Sequence, residues 1–230
     1  MNLKDLFKRK KLAGDQAVIK ELWREIFENK LYDFEASTSA PVILDVGANI
    51  GIATLFFKSK YPQSRIKAFE PVPESFADLK TNTATLDGIE LFNFGLSDFD
   101  GDGVIYGESD TAIQSMTKIF SETNKFSAED LTPIPVKLRK LSTFISGPID
   151  FLKIDIEGSE GKVFRELDRS GKLKAIKELV MEYHYNLDNP ENELGELITR
   201  LHNNNFHLSI AADSNKKSYP IFIRAKQGKG

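Results

Sequence analysis

The chain reads as an α/β fold: a doubly wound, mostly parallel sheet of about seven strands with helices on both faces. Three observations predict it. The apolar run Val42-Ile43-Leu44-Asp45-Val46 breaks into the turn Gly47-Ala48-Asn49-Ile50-Gly51, and the residues after it have helical composition, which makes strand, tight turn and helix. From Pro41 onward, strand-like and helix-like stretches alternate. Near the end, Phe206, Leu208 and Ile210 alternate, as do Tyr219, Ile221 and Ile223, across the turn signal Asp213-Ser214-Asn215. They read as an antiparallel pair closing the far edge of the sheet.

Taken in order, residues 1–40 form a helical extension expected to pack on one domain spanning 41–230. Val18, Leu22, Ile26 and Phe27 recur at helical spacing and Leu31 continues that side. The basic run Lys8, Arg9, Lys10, Lys11 reads as a solvated face. The first strand covers 42–46, and its helix, 51–60, stops before Pro62. A second strand covers 65–70. Pro73 suits the first turn of the next helix, which presents Phe76, Leu79, Thr83 and Leu86 on one face and ends by Gly88. Residues 89–94 give the third strand, completing β-α-β-α-β. Residues 99–149 interrupt the rhythm: Gly101, Gly103 and Gly107 surround short β-like pieces, and a polar run precedes a strand at 134–138. This excursion reads as a hairpin and a lid over the carboxyl edge of the sheet. A buried strand follows at 149–155. Ser159 is placed to cap the helix 160–170, whose Val163, Phe164 and Leu167 face inward before Gly171. A strand at 175–183 and a helix at 191–203, with Leu194, Leu197, Ile198 and Leu201 on one stripe, lead to the final pair.

Composition narrows the function. The 230 residues are 40% hydrophobic, enough for the core of one domain and a short extension. A net charge of −3 offers no general attraction to nucleic acid, and none is expected as a partner. Zero cysteines exclude disulfides, cysteine-ligated zinc and a thiolate nucleophile. No apolar run is long enough to span a bilayer, and charges break up residues 1–11, so a cytoplasmic protein without a signal peptide is expected.

Strand, glycine turn and helix is the start of a unit that binds a nucleotide-like ligand at the carboxyl end of its first strand. Gly47 can take backbone angles closed to other residues, and Gly51 lets the helix start approach closely. The pyrophosphate pattern G-x-G-x-x-G is not met, because Asn49 stands where its second glycine falls. Asp45 at the end of the strand suits a ligand that carries a cation. Glu70, about 20 residues past the turn, is where an acid accepts both hydroxyls of a ribose, and Ser97-Asp98 sits beside the base. A second group lies further on. Asp155 and Glu157, like Glu182 and His184, are two residues apart, so on strands each pair shares a face. Both pairs fall at the carboxyl ends of strands expected to be neighbours. Converging there, with Lys153 counted among the catalytic candidates, they could hold a hydroxyl and take its proton, or bind a divalent cation through oxygen ligands.

Asp45-Val46-Gly47-Ala48-Asn49-Ile50-Gly51, Phe69-Glu70-Pro71, Leu96-Ser97-Asp98 and Leu152-Lys153-Ile154-Asp155-Ile156-Glu157-Gly158-Ser159-Glu160 resemble the successive motifs of the FkbM family of S-adenosylmethionine-dependent methyltransferases. The resemblance runs from about residue 41 to 210. It implies a Rossmann-like class I methyltransferase fold with strand order 3-2-1-4-5-7-6 and a terminal antiparallel strand. It also implies methyl transfer to hydroxyl oxygens of sugars, glycolipids or polyketide-like molecules, the partner being a small-molecule or glycan acceptor. In that setting Asp45 favours the ammonium and sulfonium of the donor, Gly47, Asn49 and Gly51 admit its methionine part, Glu70 holds the ribose, and Asp155 adjoins both donor and acceptor. The base is His184 or one of Asp155, Glu157 and Glu182. Asp110, Ser115 and Lys118 of the excursion are candidates to touch the acceptor. A nicotinamide-dependent oxidoreductase would want the missing glycine. Methylation of a base amino group would want an Asn-Pro-Pro-aromatic loop, and Asn189-Pro190-Glu191-Asn192 lacks the aromatic. The remaining alternative is a domain that binds S-adenosylmethionine without catalysis.

Overall fold

A computed structural model of the chain describes residues 12–108, 131–184, 194–212 and 220–228. The first half contains α1 (Gln16–Trp23), β1 (Val42–Val46), α2 (Ile52–Lys60), β2 (Arg65–Phe69), α3 (Pro73–Thr83), β3 (Ile89–Phe92), β4 (Gly95–Ser97) and β5 (Gly101–Glu108). The second contains β6 (Leu131–Lys140), β7 (Phe151–Ile154), α4 (Glu160–Arg169), β8 (Glu178–His184), α5 (Leu194–Asn203), β9 (Phe206–Ala212) and β10 (Pro220–Gln227). Seven strands form the main sheet in the order β3-β2-β1-β7-β8-β10-β9, which is the implied order. β10 runs antiparallel to both its neighbours, and the other pairs are parallel.

Side chains alternate across the sheet, and each face is covered. Leu44, Val46, Leu152 and Ile154 pack with Val163, Phe164 and Leu167 of α4 and with Leu197 and Leu201 of α5. Ile43, Phe151 and Val180 face the other way, onto Leu55 and Phe57 of α2, Leu79 of α3 and the segment before β1. That segment supplies Val18, Ile26, Tyr32 and Phe34, all buried. The ring of Phe34 stacks on Phe151 with centroids 4.2 Å apart, and burial of such a ring stabilises by about 1.5–3 kcal/mol. Asp15 starts α1 by accepting from the N–H groups of Ala17 and Val18, and α1 runs into a π-helical turn, Arg24–Glu28, where Phe27 stacks on Trp23.

β4, β5 and β6 form a second sheet of three strands, order β4-β6-β5. β6 begins at Leu131, before the expected start at 134, and contains Pro133 and Pro135. Both prolines are on one parity, paired with Tyr106 and Val104, and β4 joins β6 only from Leu138 onward. The missing N–H groups thus fall where β6 has a single neighbour. Asp110, Ser115 and Lys118, the Asn189 stretch, the Asp213 turn, Tyr219 and the basic run at 8–11 lie outside the described residues.

Three local expectations need correction. β7 ends at Ile154, one residue short, so Asp155 and Glu157 stand beyond the strand and their spacing does not put them on one strand face. Glu157 instead takes a left-handed backbone, φ 55°. Ser159 makes no capping hydrogen bond; the carboxylate of Glu160 instead ties down the turn before the helix, accepting from the N–H groups of Ile156 and Gly158 at 3.2 and 3.1 Å.

Candidate active site

β1 pairs with β2 on one side and β7 on the other, so the chain leaves the carboxyl end of the sheet's centre in opposite directions and opens a crevice there. The turn after β1 forms one lip. Gly47 and Ala48 donate N–H to the carbonyl of Phe69 at 3.0 and 2.9 Å, which pins the turn to the end of β2. Gly47 has φ 77°, and a Cβ there would stand 1.7 Å from the carbonyl oxygen of Asp155. No other residue fits. Gly51 has φ 93°, but what approaches it is Leu79 of α3, whose Cδ1 would be 2.7 Å from a Cβ. The close approach at Gly51 is thus between helices α2 and α3. Asn49 lies between them in a left-handed conformation, φ 48°.

Glu70 follows β2 and is 6% exposed. Its Oε2 accepts from the N–H of Asn49 at 2.8 Å and its Oε1 from that of Val72 at 2.9 Å. Burial pushes its carboxyl up to about 7, outweighing those two N–H donors. Glu70, Gly47 and Asn49 line a cleft enclosing about 720 Å³ out to its open mouth. Phe94, Leu96, Ile105 and Leu138 give it apolar lining, and Asp155, Ile156 and Glu157 line it too, the carbonyl of Asp155 lying against Gly47. A few polar groups set among apolar ones are the lining of a small-molecule site.

Asp45 is fully buried and does not line the cleft. Strand parity explains this: Asp45 points to the same face as Ile43, where Thr54 of α2 donates its hydroxyl to Oδ2 at 2.5 Å. Burial raises the Asp45 carboxyl, and Lys153 and Thr54 pull it back. Its cross-strand neighbour is Lys153, whose Nζ stands 3.7 Å from Asp45 Oδ1 and 3.7 Å from Asp155 Oδ2. The ammonium also donates to the carbonyls of Val46 and Gly47 and lies 5.5 Å from the ring centre of Tyr32. Lys153 is therefore a fixed cation under the turn. Ser97 is buried, its hydroxyl 3.4 Å from Asp98 Oδ1, and Asp98 pairs with Arg165 at 3.7 Å. Neither lines the cleft, whereas Gly95 and Leu96 just before them do.

The loop after β7 and the end of β8 bring the second group together. His184 Nε2 lies 3.2 Å from Glu157 Oε2, 4.0 Å from Asp155 Oδ1 and 3.9 Å from Glu182 Oε1. On β8 the two-residue spacing does put Glu182 and His184 on one face, with Val180. The fifth member went unforeseen. Glu160, the first residue of α4, is fully buried and its Oε1 stands 3.0 Å from His184 Nδ1. Its mark in the sequence is an acid at a helix start just past a glycine, where backbone N–H groups need an acceptor. Burial raises the Glu160 carboxyl, but the hydrogen bond and charge of His184 and the N–H of Gly158 bring it below the ordinary value. Burial pulls the His184 imidazole down, and the surrounding Glu160, Glu157 and Asp155 overcome this and hold it well above its ordinary value. Burial, followed by the charge of Asp155, pushes Glu182 up to about 8. Asp155 and Glu157 belong both to this cluster and to the wall of the cleft, so the two groups of residues share one space.

The profile of the methyltransferase FkbM domain matches residues 45–208. Methyltransferase sdnD of Sordaria araneosa is 30% identical over 190 residues, covering 70% of this chain and 73% of that protein. 31-O-demethyl-FK506 methyltransferase FkbM of Streptomyces tacrolimicus is 27% identical over 228 residues, 84% of this chain and 83% of that protein. Among solved structures, methyltransferase FkbM from Methylobacillus flagellatus KT superposes with a TM-score of 0.56 at 14% identity. That match covers 86% of this chain and 46% of the larger protein, a likeness of fold.

Proposed function

Because the chain belongs to the methyltransferase FkbM family, we propose that this methyltransferase moves the methyl group of S-adenosylmethionine to a hydroxyl oxygen of a sugar, glycolipid or polyketide-like small molecule. The observation that carries the reading is a single cleft lined by Gly47 and Glu70 together with Asp155 and Glu157, the acids that reach His184. S-adenosylmethionine supplies a methyl group on a sulfonium that leaves as a neutral thioether. The residues present fit it. Glu70 keeps lone pairs for ribose hydroxyls, and Phe94, Leu96, Ile105 and Leu138 give an apolar slot for a purine. Gly47 and Asn49 admit the methionine end, with Asp155 facing its positive charge; Asp45 acts from below through Lys153.

Alignment supplies much of the acceleration in such a displacement. The cluster holds the acceptor hydroxyl beside the methyl group. As the new C–O bond forms and the S–C bond breaks, the ionised form of Glu182, its Oε1 3.9 Å from His184 Nε2, would receive the hydroxyl proton. Oxygen as the methylated atom is supported by the relative that methylates 31-O-demethyl-FK506. Of the excursion over 99–149, β5 and β6 lay Ile105 and Leu138 on the cleft, at the slot for the purine. Calorimetry with S-adenosylmethionine, followed by release of S-adenosylhomocysteine over a panel of hydroxyl acceptors, tests the reading. Glu182→Gln is expected to lower kcat by about 10²–10⁴-fold with donor affinity unchanged. A parent chain that does not bind the donor refutes the reading, and undiminished turnover by the variant refutes the role of Glu182.

A further inference from the structure

We infer that Asp155, Glu157 and the Nε2 atom of His184 form a site for one divalent cation, with Glu160 behind the imidazole as its positioning residue. The site deepens the acceptor half of the methyl-transfer reading, and rests on that reading for what the cation does to the acceptor. One ligand atom from each of the three side chains lies within 4.8 Å of the others. A cation about 2.1 Å from its ligands sets cis ligands about 3.0 Å apart and trans ligands about 4.2 Å apart. The distances from Nε2 to Glu157 and Asp155, 3.2 and 4.0 Å, fall between those spacings. The three side chains are 23–27% exposed, open enough for a hydrated ion to enter.

Glu160 is the independent observation. Its side chain is 1% exposed, and one oxygen takes Nδ1 of His184 together with the N–H groups of Ile156 and Gly158. Among the described residues the other oxygen, Oε2, has no hydrogen-bond partner. Nδ1 is thus committed, which leaves Nε2 as the nitrogen offered to a ligand, the arrangement by which a carboxylate orients a metal-binding imidazole. A buried carboxylate one ring away from the site, with an oxygen unmatched by any donor among the described residues, is negative charge that a cation would meet. Two carboxylates and one imidazole, with no thiolate, suit Mn²⁺, Fe²⁺ or Mg²⁺. Three protein ligands leave positions of such an ion open for an acceptor hydroxyl, and coordination acidifies it. Glu182, its Oε1 3.9 Å from Nε2, adjoins that position to receive the proton.

Titration of the full chain with Mn²⁺, read by the paramagnetic resonance of the free ion, is the test. One Mn²⁺ per chain is expected in the parent protein. Asp155→Asn and Glu157→Gln, each checked for parental circular dichroism, should weaken it at least tenfold, and Glu160→Gln about 10–100-fold without touching a ligand atom. No Mn²⁺ bound by the parent, or parental affinity in Glu157→Gln and Glu160→Gln, overturns the site. Donor binding is measured by calorimetry on the same samples. A chain that binds S-adenosylmethionine but no Mn²⁺ overturns the cation site and leaves the methyl-transfer reading standing. One that binds Mn²⁺ but no donor supports the site and removes that reading.

Discussion

Glu70 has to be ionised to accept two ribose hydroxyls, yet burial holds its carboxyl at about 7 instead of 4.5. Donor affinity should therefore fall about tenfold for each pH unit below about 7, one unit being worth about 1.4 kcal/mol. The sign for folding is the opposite one. A carboxyl raised in the folded state contributes stability below its unfolded value of 4.5, and that contribution is lost as pH climbs through 7. Calorimetry at pH 6, 7 and 8 checks the first statement, and affinity independent of pH in the parent chain would sink it. Lys153 makes a different prediction. It and Asp45 are almost without exposure, so Lys153→Met leaves a buried carboxylate without its cation and should cost about 3–5 kcal/mol in urea unfolding. Adding Asp45→Asn should return part of that loss; a double variant as unstable as the sum of the singles would contradict the pairing. The place of Glu70 at the end of β2 was legible because its distance from the glycine turn is set by one helix and one strand. Tyr32 and Glu160 were not, because what gives them meaning is contact with Lys153 and His184 across the fold.

At the scale of elements, the turn at Gly47 is the most constrained. Ala at that position needs a left-handed backbone, about 1–2 kcal/mol, and its methyl would also collide with the Asp155 carbonyl. Gly47→Ala should push the turn and the Asp155 loop apart, lowering Tm by several degrees and weakening donor binding at least tenfold. A parental melting curve with parental affinity would show that the close approach does not matter. The same contact explains which elements could be read in advance. The turn announced itself through two glycines. The end of β7 did not, because Asp155 and Ile156 continue its alternation while the chain is already turning toward α4. β6 was foreshortened in the sequence by the polar run and Pro133 ahead of 134, a proline that only an unpaired strand side tolerates. Four of the cluster's five members still come together as expected, on the β7 side for a reason other than strand parity.

Across the whole molecule, alternation of strands and helices made the class of fold legible, whereas the order of strands came from likeness to a family. Periodicity says which residues are buried but not which strand lies beside which. The N-terminal segment belongs to this scale too: Tyr32 and Phe34 complete the face opposite α4 and α5, behind the cluster. Among the described residues no helix is long and apolar enough to cross a membrane. The placement of β10 bears on how the chain is made. It is the last of the seven strands to leave a ribosome, yet it lies between β8 and β9. Until residue 227 has emerged, β8 shows an open edge and β9 has no neighbour in the sheet. At about 5–20 residues per second the wait is a matter of seconds, long enough for nascent chains on one message to meet. A chain stopped before Pro220 should therefore be recovered in the pellet instead of the supernatant, since its sheet would be left with a permanent vacancy.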